Sequence, residues 1–330
     1  MSKGIALVTG ATGAIGPSLV NYLLNHGYVV RSYGLDEPAP GLFAEQIEHF
    51  TGDINDEAHL SKALVGVDVV FHLAALLHIE NPDPELAPQY YRVNVDGSRL
   101  VAEQAARAGV RRLVYFSTVK VYGVRQREPV TEDDPACPQS IYAQTKLAGE
   151  EAVHTVTGIE TCVLRLSAVY GPRLKGSWSR LVDAIERRRF VPIGDLQNVH
   201  SLTFVDDVAQ AALLVGHHPH AINQIYNVVG YETPTLQDIL KAIYSALGRK
   251  MPSFTIPTPV ALVGSNIIGR SCKLIGKQSA LTAEAVHQLT VNEVYSGYKL
   301  SQLGFNPVLT LKQSWQQTID QLIRFSLKFS

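Results

Sequence analysis

Cysteine is scarce in this chain: Cys137, Cys162 and Cys272 are the only thiols in 330 residues, far apart and without CxxC or Cys/His spacing. That pattern excludes a disulfide framework and a thiolate zinc site, and no metal is expected. A net charge is nearly absent as well, with 29 Lys and Arg against 30 Asp and Glu, a formal charge of -1. Neither a nucleic-acid partner nor a membrane partner is therefore expected, and an anionic ligand has to be met by a local cluster of cations. Long apolar runs are missing too. The longest suspect stretch, residues 260–268 (VALVGSNII), is shorter than the roughly twenty residues a bilayer requires and is broken by Gly264 and Asn266. It is expected to be a buried helix. The N-terminus shows no basic region, apolar stretch and small-residue cleavage site, and runs straight into a strand, so a cytoplasmic location is expected.

What is present is a chain 46% hydrophobic, enough to bury a large core with a smaller appendage. Short apolar runs alternate with longer amphipathic ones: GIALVTG, YVVRSYG, VDVVFHLAA, RRLVYFST and ETCVLRLSAVYG read as strands. That rhythm predicts an α/β fold, a Rossmann-type doubly wound parallel sheet covered by helices on both faces, with a smaller C-terminal α+β substrate domain. Residues 1–171 are assigned to the dinucleotide-binding domain, with segments at about 200–229 returning to it. Residues 172–199 and 230–330 are assigned to the substrate domain, which includes the helical patterns TLQDILKAIYSALG and TLKQSWQQTIDQLIRF.

Residues 8–16 read VTGATGAIG, with Gly10, Gly13 and Gly16 between the first strand and the first helix. The first glycine permits a tight turn, the second lets backbone approach a pyrophosphate, and the third allows close helix packing. The loop Gly10, Thr12, Gly13, Ala14, Ile15 and Gly16 is thus expected to hold a dinucleotide at a helix N-terminus. An acid about twenty residues on accepts hydrogen bonds from the adenosine ribose. Asp36 meets that distance, although counting from Gly27 puts Gly34 where the acid more often stands. Asp53, in TGDI, has two readings of equal weight: a partner for the adenine amino group, or a cap for a helix starting near Asn55. Leu73, Ala74 and Ala75 end the fourth strand in small residues against which the cofactor can lie, while His72 is read as a packed histidine.

YAQTK places Tyr142 and Lys146 one helical turn apart on one face. YFSTVKVYG supplies Ser117 and Thr118 at the carboxyl end of a parallel strand, where ligands of open α/β sheets bind. A free tyrosine has a pKa near 10, so holding phenolate at pH 7 costs about 4 kcal/mol unless positive charge lowers it. Lys146 and an oxidised nicotinamide provide that charge. Tyr142 then exchanges a proton with a substrate oxygen as hydride moves at the same carbon, and Thr118 orients that oxygen.

The sequence resembles the extended short-chain dehydrogenase/reductase family over nearly its whole length. The matching pieces are TGATGAIG, GDI, HLAA, NVDGS, STVKVYG, YAQTK, LRLSAVYGPR and FVDDVA with Asp206 and Asp207. The resemblance implies Thr118, Tyr142 and Lys146 in the roles just derived, and adds Ile54, Asn94 and Ser117 to the cofactor contacts. It also implies a homodimer formed by two helices of the Rossmann domain. Within the family the chain looks most like the nucleotide-sugar branch of 4-epimerases and 4-ketosugar reductases. Dehydratases of the superfamily carry an Asp-Glu pair after the catalytic Thr, whereas this chain has Val119 and Lys120, so sugar dehydration is not expected.

Two positions depart from the nucleotide-sugar pattern. Ala168 stands where many such enzymes have Asn, and His200 where they have a phosphate-gripping Arg. Histidine lacks the planar bidentate fork of arginine. Lys175, Arg180 and His200 are the expected substrate contacts, with Arg173 nearby; a solvated basic surface is a reading of equal weight for Arg173, Lys175 and Arg180, and the run 187–189 is read as surface. A 3β-hydroxysteroid-type or other alcohol dehydrogenase is the alternative, and a non-catalytic NAD sensor is disfavoured because Tyr142 and Lys146 are both kept. No Lys or Arg occurs from Ser32 to Ser61, so no cation there can neutralise a 2'-phosphate. NAD is therefore expected over NADP. Dissociation constants for the two cofactors test this, and tighter NADP binding would show that Arg31 or a distant residue folds back onto the phosphate.

Overall fold

The computed structural model describes residues 3–44, 47–77, 84–123, 128–173, 176–261, 263 and 290–328. Two compact units are present. The first comprises Met1–Val169, Thr203–Val229 and Tyr295–Pro307, and the second Tyr170–Leu202, Gly230–Val294 and Val308–Ser330.

The first unit is built on seven parallel strands: β1 (Ile5–Thr9), β2 (Val29–Gly34), β3 (Glu48–Thr51), β4 (Val69–His72), β5 (Arg112–Thr118), β6 (Glu160–Leu166) and β9 (Gln224–Val228). Their order across the sheet is β3-β2-β1-β4-β5-β6-β9. Every residue of β5 is buried, as expected of a central parallel strand covered on both faces. The two-residue period of the strands sorts side chains onto two cores. Ala6, Val8, Val114, Phe116 and Leu164 meet α1 (Gly16–Asn25) and α7 (Val205–His217) on one face. Leu7, Leu113, Tyr115 and Val163 meet α2 (Glu57–Ala63), α4 (Ser98–Arg107) and α5 (Ile141–His154) on the other. The alternation of strand and helix read from the sequence is thus a doubly wound sheet. Its chain order reverses between β1 and β4, the place where ligands of such sheets bind.

α3 (Ala87–Tyr91) runs through a π-helical segment, Arg92–Gly97, into α4. A short ladder pairs β7 (Ala168–Tyr170) with β8 (Leu202–Phe204). The segment Tyr295–Pro307, which the sequence reading left in the second domain, belongs to the first unit and includes α9 (Tyr298–Ser301). Ser296 donates its backbone N–H to Val130 at 2.7 Å, Tyr295 stacks on Tyr122, and the Lys299 ammonium lies 5.2 Å from the Tyr226 ring centroid.

In the second unit, α6 (Ser177–Glu186) and α8 (Leu236–Ala246) appear where helices were read, α8 with a Thr235/Asp238 capping box. α10 (Leu311–Lys328) buries Trp315, which stacks on Tyr170 at 4.5 Å. The expected buried helix at 260–268 is corrected in its described part: Ala261 is buried, but Val260 and Val263 are exposed. The remaining positions of that stretch, and Cys272, lie outside the described residues. Among the described residues no helix is long and apolar enough to cross a membrane.

Gly149 marks the closest approach of α5 to the sheet: a Cβ there would stand 2.2 Å from the Tyr115 hydroxyl and 2.5 Å from the Asn94 carbonyl oxygen. Gly→Ala in an open helix site gains roughly 0.5–1 kcal/mol. Here the same change overpacks the contact and is expected to destabilise by about 1–3 kcal/mol. Chemical denaturation of Gly149→Ala measures the sign.

Candidate active site

The turn from β1 into α1 forms a backbone cradle. Gly10 has φ +68, and a Cβ there would meet the Ala74 nitrogen at 2.8 Å. A Cβ on Gly16 would lie 2.1 Å from the Ala11 carbonyl oxygen. Gly13 is exposed between them, its N–H donating to Gly10 at 3.0 Å. Among the described residues no side chain caps α1, and its first turn carries no acid, which suits an anion at its N-terminus. Thr12, Ala14 and Ile15 lie along the same turn. These residues fit the pyrophosphate of a dinucleotide, because any side chain at Gly10 or Gly16 would close the turn.

β4 leaves the sheet beside this cradle. Leu73 and Ala74 donate their N–H groups to the Thr9 carbonyl (3.2 Å) and hydroxyl (3.3 Å), and Ala75 follows. Asn94, expected as a cofactor contact, is engaged by the protein. Its Oδ1 accepts from Leu76 N at 2.7 Å, and its Nδ2 donates to Leu76 O and to Thr145 Oγ1, each at 3.1 Å. His72 is the packed histidine read from the sequence, hydrogen-bonded to Thr9 Oγ1 at 2.7 Å and Ser98 Oγ at 3.0 Å. Burial, with the Lys146 charge adding, pushes its pKa down to about 3.

Asp36 is exposed two residues past the end of β2, and Ile54 is buried. Of the two readings of Asp53, the helix cap is corrected: α2 starts at Glu57, and Asp56 caps it by accepting from His59 N at 3.2 Å. Asp53 Oδ1 instead accepts from the Asn55 backbone N–H (2.9 Å) and side chain (3.0 Å), while Oδ2 meets Arg92 at 2.6 Å. Burial opposes its ionisation, but these Asn55 donors and the Arg92 charge outweigh it and hold the carboxyl below its usual pKa.

Thr118 is the last residue of β5, its hydroxyl oxygen accepting from Lys120 N at 3.2 Å. Ser140 caps α5 by accepting from Ala143 N at 3.2 Å, which sets Tyr142 in the first turn and Lys146 one turn later. Lys146 is only 2% exposed, and its Nζ lies 4.0 Å from the Tyr115 ring centroid. Burial drives the two groups in opposite directions. It raises the Tyr142 phenol to about 12, with Tyr90 adding, and lowers the Lys146 ammonium to about 7 against the opposing pull of Glu150.

Sequence reasoning missed the anion beneath this pair. Glu150, one turn past Lys146, is ion-paired with Arg165 of β6 at 2.7 Å, and Ser117 donates its hydroxyl to the same carboxylate. A signal existed: Arg165 interrupts an otherwise apolar strand run, and a buried cation must find an anion.

In the second unit, Arg180 is exposed on α6 and Lys175 lies outside the described residues. His200 is 2% exposed, its Nε2 2.6 Å from Asn198 Nδ2 and its ring edge-on to Trp178 at 5.5 Å. Arg187 pairs with Asp183 on the surface. Among the described residues no group of three His, Cys, Asp or Glu side chains could hold a metal ion.

Residues 6–229 match the NAD dependent epimerase/dehydratase family. The chain is 28% identical to UDP-glucose 4-epimerase of Vibrio cholerae, over 98% of this chain and 97% of that protein. It is 28% identical to sterol-4-alpha-carboxylate 3-dehydrogenase, decarboxylating, of Mus musculus, over 94% and 89%. The solved structure of MoeE5 in complex with UDP-glucose and NAD superposes with a TM-score of 0.75 at 27% identity, covering 98% of this chain and 100% of that one. The glycine cradle at β1, the Tyr142/Lys146 pair on α5 and a match spanning the dinucleotide unit converge: the chain belongs to the NAD dependent epimerase/dehydratase family, as an enzyme of the extended short-chain dehydrogenase/reductase type with NAD as its cofactor.

Proposed function

We propose that this enzyme acts on a hydroxyl or ketone of a nucleotide sugar, as a 4-epimerase or 4-ketoreductase. The observation that carries the chemistry is the placement of Thr118 and of Tyr142 with Lys146 at the carboxyl edge of β5, on the edge that also bears the glycine cradle. NAD, when bound, supplies the hydride acceptor and donor. Gly10, Gly13 and Gly16 hold its pyrophosphate, with Asp36, Asp53 and Ile54 on the adenosine side. Thr118 hydrogen-bonds the reacting oxygen. Burial raises the Tyr142 phenol; in this reading Tyr142 takes or returns the proton, with the Lys146 ammonium one helical turn away and the nicotinamide as the positive charges that would lower it.

Tyr142→Phe removes only the oxygen that moves the proton. The variant is expected to fold and bind NAD, yet to lose about 10²- to 10⁴-fold in turnover. Near-normal turnover in a folded Tyr142→Phe protein removes Tyr142 from the mechanism. Lys146→Ala is expected to damage NAD affinity as well as rate, which titration calorimetry beside steady-state kinetics separates.

The nucleotide-sugar assignment is supported by the Vibrio cholerae relative and by MoeE5 with UDP-glucose. Under it, Lys175, Arg180 and His200 gather on the substrate diphosphate, with exposed Arg180 the strongest point charge of the described pair. A UDP-sugar should then raise the melting temperature of the NAD-bound protein, and Arg180→Ala or added salt should shrink the rise. Conversion without added reductant identifies an epimerase, and stoichiometric NADH demand a reductase. The mouse relative and the departures at Ala168 and His200 support a second reading, a sterol-type dehydrogenase. A melting shift with a sterol and none with any nucleotide sugar establishes that reading in place of the first. A cytoplasmic homodimer joined through helices of the dinucleotide unit completes the proposal, and a monomeric mass by light scattering removes its dimer.

A further inference from the structure

Glu150 has no part in the chemistry described so far, yet it is buried and held from two strands. It stands one turn beyond Lys146 on the face of α5 that carries Tyr142 and Lys146. From β6, Arg165 reaches both carboxylate oxygens, with Nε at 3.1 and 3.2 Å and Nη2 at 2.7 Å. From β5, Ser117 adds its hydroxyl. The Arg165 guanidinium in turn lies 4.8 Å from the Tyr122 ring centroid, and the Tyr122 hydroxyl donates to Asn227 at 2.8 Å. A buried ion pair gains little over well-packed apolar side chains of the same volume, so stability alone gives a weak reason for so elaborate an anchor.

The surroundings of Lys146 supply a stronger one. From β4 it faces His72, which burial pushes down to about 3 and which is therefore neutral. From β5 it faces Tyr115, whose hydroxyl burial raises well above its usual value, so the ring presents a neutral face. Its own helix carries Tyr142, which Tyr90 of α3 neighbours, and Glu150. Arg165 adds a second cation behind the carboxylate. Burial works to strip the proton from Lys146, and of the groups around it Glu150 opposes that loss.

We propose that Glu150 is a positioning residue for Lys146: fixed from β5 by Ser117 and from β6 by Arg165, it places a negative charge one turn from the Lys146 ammonium and keeps that ammonium charged. Its consequence for turnover rests on the reading of Tyr142 and Lys146 given above. Its effect on Lys146 does not.

The test separates the two. In protein labelled with 13C at lysine Cε, the Lys146 resonance is assigned by its loss in Lys146→Arg and followed against pH in the wild type, Glu150→Gln and Glu150→Gln/Arg165→Gln. Neutralising a carboxylate one helical turn away is expected to lower the Lys146 midpoint enough to cut the ammonium fraction at neutral pH about tenfold. Glu150→Gln leaves a buried guanidinium unpaired, so its melting temperature falls. The double variant also removes the Arg165 cation and recovers the melting temperature; its Lys146 midpoint and kcat stay below wild type, by less than in Glu150→Gln. If the single variant does not fold, the double variant still reports the midpoint. A Lys146 midpoint equal to wild type in the folded variants overturns the proposal, as does a double variant that regains both stability and kcat, since Glu150 is then only the partner of Arg165. A lowered midpoint with unchanged turnover supports the role of Glu150 and overturns the reading of Tyr142 and Lys146 as the reactive pair.

Discussion

A lysine buried to 2% exposure gives up nearly all the hydration of its ammonium, and the protein has to supply a replacement. Around Lys146 the replacement is partial by construction. The face of Tyr115 offers a weak cation–π contact, and Glu150 contributes its field, its own carboxylate shared with Arg165 and Ser117. Full compensation would leave a permanently charged lysine that titrates far above neutrality. Partial compensation leaves one that titrates at about 7. The surroundings match this: a histidine at position 72 that stays neutral, a tyrosine rather than an acid at 115, and a buried arginine on β6 that holds the Glu150 carboxylate.

That constraint needs a scaffold holding three strands and one helix in fixed register, and the sheet provides it. β5 and β6 pair along their whole length, from Arg112↔Glu160 to Thr118↔Leu166, which sets Ser117 directly beside Arg165. α5 approaches closely enough for both to reach Glu150 only because Gly149 has no Cβ. The Asn94 amide fastens the start of the same helix to the strand exit at Leu76. The glycine cradle and the Tyr142/Lys146 pair therefore share one carboxyl edge as a result of strand order, β1 and β4 being the parallel neighbours between which that order reverses.

Local geometry was legible in the sequence where spacing alone imposes it. Glycines at 10, 13 and 16 announce a turn that tolerates no side chain, and the interval between Tyr142 and Lys146 announces a shared helical face. Pairing between distant segments was not legible. Asp53 could be seen as an acid after a strand, but its engagement of Arg92 depends on a π-helical segment that no spacing rule signals. The return of Tyr295–Pro307 to the first unit depends on a backbone bond to Val130 and on Tyr295 meeting Tyr122, contacts between residues far apart in sequence. At 260–268, composition suggested burial, yet Val260 and Val263 face solvent; apolar content fixes neither which side of a short helix turns inward nor whether it does so.

The same asymmetry bears on substrate. In the proposed reading, proton transfer is confined to Thr118, Tyr142 and Lys146, whose environment the sheet dictates. Substrate choice in the proposed reading rests on residues of the second unit, and here the chain carries His200 where a forked guanidinium would bind two phosphates directly. That histidine is buried beside Trp178, with its Nε2 on Asn198, and it lacks the paired donors of a guanidinium. A diphosphate held by this chain must then take most of its charge balance from exposed cations such as Arg180, whose contribution salt screens. An apolar alcohol would need no such balance. The ionic-strength dependence of ligand binding is therefore a more direct discriminator between the two substrate classes than the reaction, which both would carry out with the same Thr118, Tyr142 and Lys146.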